Sequence, residues 1–245
     1  MKRLLVLGLV LLLTACGTPD VSTPAPTPIA INVSYPPALQ SWVDKLATCA
    51  SDTPRVALYF TQSNALSTNI LANDISLELG QTTLDNEDLY LSQIGSEQVT
   101  VIVNKDNPLL QLSNDELKSI FSGQLLKWLN GSDLPIQVWV LPESDPARTI
   151  FDQVVLHNRT LTSEAMLAPD PYAMLEAVSR DIDAIGYLPG SFLNTIDATT
   201  ANQVKIVQLE SSIKAELHQP VIAITQSEPK DLLRNLLVCL QSTSP

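Results

Sequence analysis

Residues 98–104, QVTVIVN, limit the choice of fold more than any other stretch of this chain. β-Branched side chains lose rotamer freedom in a helix and pack well on a pleated surface, so the run reads as a buried strand. Strand and helix signals alternate on both sides of it. Strands are expected at 29–33, 55–60, 75–79, 136–141, 184–188, 204–207 and 221–224. Pro36-Pro37 open a helix that runs to about residue 50, with Leu39, Trp42, Val43 and Leu46 on one face. Short helices are expected at 63–72 and 171–179. Ser113 with Glu116 forms a capping box for a helix at 114–121. Asp145-Pro146 is an N-cap and first-turn pair for a helix at 147–156. An amphipathic helix at 229–241 closes the chain. This alternation indicates an α/β architecture with a mostly parallel sheet.

The amino terminus belongs to a different regime. Lys2 and Arg3 precede an almost entirely apolar stretch, 4–13, too short to span a bilayer comfortably. This is the order of an export signal. It ends in Leu13-Thr14-Ala15-Cys16, which resembles a lipobox. The resemblance implies cleavage after a signal peptide at 1–15, lipidation of Cys16 and attachment to the cell membrane or its periplasmic face. Two or three acyl chains hold a protein firmly at a bilayer. The tether, 16–28, is rich in Pro and Thr, cannot bury a core, and is expected to be extended.

Roughly 215 residues follow the tether, enough for one sizeable domain or two small lobes. The chain is 45% hydrophobic and 16% charged, a globular balance. Its formal charge is −12, and loss of Lys2 and Arg3 takes it to −14. Such a body is a poor partner for nucleic acid. Beyond Cys16, only Cys49 and Cys239 remain, each on an expected helix. In an oxidising compartment they are a candidate disulfide, with two buried thiols as the alternative. No metal site is expected, because His157 and His218 stand at no ligand spacing with a Cys. No cofactor is expected either. The absence of G-x-S-x-G, H-E-x-x-H or a Cys–His pairing argues against an enzyme.

Residues 99–128 read VTVIVNKDNPLLQLSNDELKSIFSGQLLKW. A strand ending in V-N, then D-N-P, then an I-F-S-G helix end and a Trp, resembles the phosphate-type substrate-binding proteins of ABC transporters. Asp133-Leu134-Pro135-Ile136, Arg148-Thr149-Ile150-Phe151 and the strand Asp183-Ala184-Ile185-Gly186-Tyr187-Leu188 continue the resemblance in the same order. It is densest over 99–193, fainter over 29–80 and thin after 203. The fold implied is the two-lobed, type II periplasmic-binding-protein-like α/β fold with a ligand cleft between the lobes. Lobe one would comprise 29–103 plus 189–245, and lobe two 104–188. Cys49 and Cys239 would then share lobe one.

The function implied is an extracytoplasmic solute-binding lipoprotein that passes a small, phosphate-like anion to an ABC transporter permease. The alternative is a sensor or scaffold lipoprotein on the same fold. Members of the family hold an oxyanion with hydroxyls and backbone N–H groups at loop-to-helix turns, where orphan donors gather. By that resemblance the ligand-binding residues are Ser34 in the first turn, Thr61 and Ser63 in the second, and Ser144 and Arg148 in the third. Glu78 falls near an acid that accepts a phosphate proton. The third turn departs from the family pattern. Asp145 brings a like charge where an anion is expected, Pro146 removes a donor, and Arg148 has an alternative partner in Asp145 or Asp152.

Overall fold

The computed structural model describes residues 27–51, 53, 55–65, 69–81, 89–129, 133–157 and 159–242. The export signal, Cys16 and the tether up to residue 26 lie outside the described residues. In chain order the elements are β1 (Ile29–Tyr35), α1 (Gln40–Ser51), β2 (Val56–Gln62), β3 (Ile75–Leu79), β4 (Tyr90–Asn104), β5 (Gln111–Leu112), α2 (Asn114–Phe121), β6 (Gln137–Val140), α3 (Pro146–Phe151), β7 (Met166–Leu167), α4 (Pro171–Arg180), β8 (Ala184–Pro189), α5 (Ala198–Ala201), β9 (Val204–Ile206), β10 (Gln208–Leu209), α6 (Ser211–Glu216), β11 (His218–Thr225) and α7 (Asp231–Ser242). Single 3-10 turns precede α1 and follow β8.

The strand order is β2-β1-β3-β11-β4-β8-β6-β7, with β9 also on β4. The long strand β4 joins the two halves. Its first part pairs antiparallel with β11, and its last part with β8 and β9. Every residue from Val99 to Asn104 is buried. The sheet is mixed, not mostly parallel. β1 pairs parallel with β2 and β3, and β6 with β7 and β8, but β3–β11, β4–β11 and β4–β8 are antiparallel. A strand that crosses between halves must meet its returning neighbours in the opposite sense. Helix–strand alternation is blind to that.

Two further expectations change. Among the described residues of 63–72 there is no helix. The Ser63 hydroxyl accepts from the Ala65 amide at 3.1 Å and bends the chain locally, a turn that competes with helix formation. The helix expected at 147–156 is α-helical only to Phe151 and continues as a π-turn, Asp152–Leu156. The β-branched pair Val154 and Val155 falls in this widened turn.

The motifs that carry the family resemblance turn out to be packing devices. Asn104 Nδ2 donates to the carbonyls of Val178 and Ser179 at the end of α4, at 3.2 and 2.7 Å. Asn107 Nδ2 donates to the Ile182 carbonyl at 2.7 Å. Phe121, Phe151 and Tyr187, from three of the four segments, stack together. Phe151 and Tyr187 are parallel at 3.9 Å, with Phe121 4.6 Å from Phe151. Gly123 has φ +72° and faces Thr162, so the end of α2 suits no other residue. Gly186 lies under Met174 of α4, and a Cβ there would meet Met174 Sδ and sit 3.2 Å from Val178 Cγ2. Gly186→Ala is therefore expected to lower stability by about 1–3 kcal/mol, read as a fall in the urea midpoint.

Candidate ligand-binding cleft

β1, β2 and β3 bring their carboxyl ends to one edge of the first half. Parallel register sets Ser34 beside Thr61 on one flank and Ser76 on the other. Ser34 Oγ donates to Ser76 Oγ at 3.0 Å, and Ser76 Oγ to Glu78 Oε1 at 3.4 Å. Burial pushes the Glu78 carboxyl up to about 7, against the pull of the Ser76 hydrogen bond. Ser63 follows β2, and its amide donates to the Tyr35 carbonyl at 2.9 Å. Asp74 is structural. It accepts from Asn32 Nδ2 at 2.7 Å and from the Leu71 amide at 3.2 Å.

The other half meets this edge at the turn before α3. Asn64 Nδ2 donates to Ser144 Oγ at 3.1 Å. Nearby, Ile150 Cδ1 of α3 stands 3.4 Å from where a Cβ on Gly80 would be. Ser34, Ser76 and Glu78 thus form one hydroxyl–carboxyl chain, while Asn64 and Ser144 form a polar contact between the halves.

Arg148 is not at the seam's surface. Only 6% exposed, it donates from Nε to Asp152 at 2.6 Å and from Nη1 to the Leu141 carbonyl at 2.8 Å. Of the alternatives open in the sequence, this geometry shows the pairing with Asp152, one helical turn on and only partly buried. The neighbouring Tyr187 hydroxyl, pushed up by burial, accepts from the Leu141 amide.

Asp145 is fully buried. Its Oδ1 accepts from the Ala147 amide at 2.8 Å, capping α3, and Oδ2 has no partner among the described residues. Burial raises its carboxyl to about 6, partly opposed by the amides of Ala147 and Arg148. The donors that α3 has to offer are therefore engaged by the chain's own carboxylate.

Sequence reasoning missed Ser76 and the use of Asn64. Ser76 had a signal, because Ile75-Ser76-Leu77-Glu78-Leu79 alternates and places Ser76 with Glu78 on the face away from the leucines. Asn64 had none, since its partner is distant in sequence.

Comparison with known proteins places this geometry in context. The Bacillus subtilis phosphate-binding protein PstS is 28% identical over 165 residues, 65% of this chain and 54% of that protein. The matched part is thus about half the length of that relative. A Clostridium perfringens structure, described as a putative phosphate ABC transporter substrate-binding protein with bound phosphate, superposes with a TM-score of 0.72 at 19% identity. It covers 86% of this chain and 93% of the other. The reduced OxyR regulatory domain of Pseudomonas aeruginosa shares the fold at a TM-score of 0.61 and 10% identity, over 87% and 97% of the two chains. The sequence model of the PBP superfamily domain matches residues 65–244, nearly three quarters of the chain, and the protein belongs to that superfamily, with the two-lobed α/β fold of the phosphate-type binding proteins.

Proposed function

We propose that this protein is an extracytoplasmic solute-binding lipoprotein that takes a small, phosphate-like oxyanion between its lobes and passes it to an ABC transporter permease. The observation that carries the reading is the polar seam. Ser34, Ser76 and Glu78 line one side, Asn64 and Ser144 bridge to the other, and Thr61 and Ser63 flank it. Hydroxyls and amides of this kind suit a compact ligand rich in acceptors. The sequence of Cys16 and its flanks supports a lipid anchor, and relatives named as phosphate-binding proteins support the ligand class.

Two carboxyls at this seam give the binding a pH signature. Above about 7 both Glu78 and Asp145 are charged and repel an anion, while below about 6 both carry protons. Isothermal titration of phosphate into the unlipidated protein (Cys16→Ser) should give affinity at least about tenfold higher at pH 5.5 than at pH 8. Heat at neither pH would leave the oxyanion reading without support.

A second reading, a sensor or scaffold lipoprotein that imports nothing, is favoured by one observation. Arg148 is committed to Asp152 and Leu141, so the seam has no free cation from α3. Saturable phosphate binding at either pH would set that reading aside.

A further inference from the structure

A second pocket, lined by the stems of polar residues, lies away from the seam, between α1 and the 3-10 turn Gly190–Asn194. Its volume is about 300 Å³. Helical spacing puts Ser41, Asp44, Lys45 and Thr48 on one wall, and Ser191, Asn194 and Thr195 form the other. It uses none of Ser34, Thr61, Ser63, Ser144 or Arg148.

Behind it stands Glu97 of β4, only 3% exposed. Oε1 accepts from the amides of Ser191 at 2.9 Å and Gln98 at 3.2 Å. Oε2 accepts from Trp42 Nε1 at 3.0 Å and from the Ser191 hydroxyl. The Ser191 proton is thereby spent, so Ser41 is the donor in its short contact with Ser191. Glu97 holds four donors and takes no hydrogen bond from Lys45.

Lys45 is left without an acceptor. Its Nζ is buried, stands 4.5 Å from the centroid of the Trp42 ring, and has no hydrogen-bond partner among the described residues. Desolvation lowers its pKa, and the Glu97 charge offsets this only in part. A shielded ammonium without an acceptor carries a desolvation cost that an anionic guest relieves.

The remaining groups narrow the guest. Thr48 Oγ1 donates to the Asp44 carbonyl at 3.0 Å, and Thr195 Oγ1 to the Phe192 carbonyl at 2.8 Å. Those hydroxyls, with Ser41, present lone pairs to the pocket. Asp44 Oδ1 is engaged by Gln40 at 3.0 Å, which leaves Oδ2 as a further acceptor. The donors that remain are the Lys45 ammonium and the Asn194 amide. A phosphate needs more donors than these two side chains supply, whereas one carboxylate is satisfied by them. The lone pairs then call for hydroxyl or ammonium groups on the same guest.

We propose that this pocket binds a small carboxylate that also carries hydroxyl or ammonium groups, with its carboxylate on Lys45 and Asn194. The test is calorimetry on the full chain (Cys16→Ser) with glycerate, lactate and serine as probes, and phosphate as comparator at pH 8. Lysine side-chain NMR reports the Lys45 Cε signal in parallel. At least one probe should bind and shift that signal, with affinity falling at least about tenfold in Lys45→Met and persisting in Asp145→Ser. Lys45→Arg should retain part of the binding, because it keeps the charge. No binding by any of the three, unchanged affinity in Lys45→Met, or an equal Lys45 shift with phosphate would each overturn the proposal. If Lys45→Met fails to fold, the Lys45 signal in the parent protein decides alone. Failure here leaves the interlobe reading intact, since that reading rests on phosphate heat and its pH dependence, which turn on Glu78 and Asp145 at the seam.

Discussion

Asp145→Ser is expected to strengthen phosphate binding at pH 8 by at least about tenfold and to flatten its pH dependence. The parent carboxylate is fully buried at the start of α3 and engages the Ala147 amide at 2.8 Å. An arriving oxyanion meets a like charge and finds that donor taken. Serine removes the charge, and its hydroxyl can cap the helix while no ligand holds the Ala147 amide and yield that donor when one does. Stability should not fall at pH 8. The Asp145 carboxyl is raised to about 6 in the folded state, so the folded protein binds more protons than the unfolded one between pH 4 and 6. Asp145 therefore favours folding in acid, and that benefit is lost as pH rises through about 6. At pH 8 the substitution removes a buried charge whose Oδ2 has no partner among the described residues. The remaining pH dependence should follow Glu78, raised to about 7, together with the second ionisation of phosphate itself. Unchanged affinity in the variant would mean that the turn before α3 takes no part in the ligand site.

Most of the architecture was legible because it is written in local chemistry. Ser113 and Glu116 close their capping box as read, with Ser113 N to Glu116 Oε2 at 2.9 Å. Residues 98–104 are the buried end of a strand. What local chemistry does not encode is the sense of pairing. β4 extends back to Tyr90 because β11, more than a hundred residues later, lies alongside it. The run before 98 has too weak an alternation to announce that partner. The helix expected at 63–72 is not seen among the described residues there for the opposite reason, since a single hydroxyl at Ser63 turns the chain where propensity alone allowed a helix.

The site was harder to read than the fold, and the cause is visible in what the motifs do. Phe121, Phe151 and Tyr187 come from three of the four segments that carry the family resemblance, and they stack on one another in the core. Asn104 and Asn107 tie down the end of α4 and its exit. A resemblance carried by such residues speaks for the fold. The groups at the seam sit on the weaker-matching segments, and their pairings, Ser34 with Ser76 and Asn64 with Ser144, join residues 42 and 80 apart in sequence. Arg148 shows the limit clearly. The i,i+4 spacing offered Asp152 as a partner, but the second hydrogen bond, to the Leu141 carbonyl, and the burial of the guanidinium depend on tertiary packing.

The second large effect should come from the covalent link between the first and last helices. Cys49 of α1 and Cys239 of α7 form a disulfide, with Cα atoms 6.0 Å apart and 190 residues between them in sequence. Both helices pack on the same side of the first half, where Leu46, Leu236 and Leu240 are buried. A cross-link closing so long a loop removes much of the freedom of the unfolded chain. The chain-entropy treatment puts this at about 5 kcal/mol, and native disulfides typically contribute about 2–5 kcal/mol. The double variant Cys49→Ser, Cys239→Ser is expected to lose that amount in denaturant unfolding and to melt about 5–15 °C lower. Reductant should bring the parent protein to nearly the same midpoint and leave the variant unmoved. The comparison separates the bond from the packing, because the reduced parent keeps both sulfur atoms in the core. If the parent shows one midpoint with and without reductant, the two helices are held by their apolar contact alone, and the bond contributes nothing to folding.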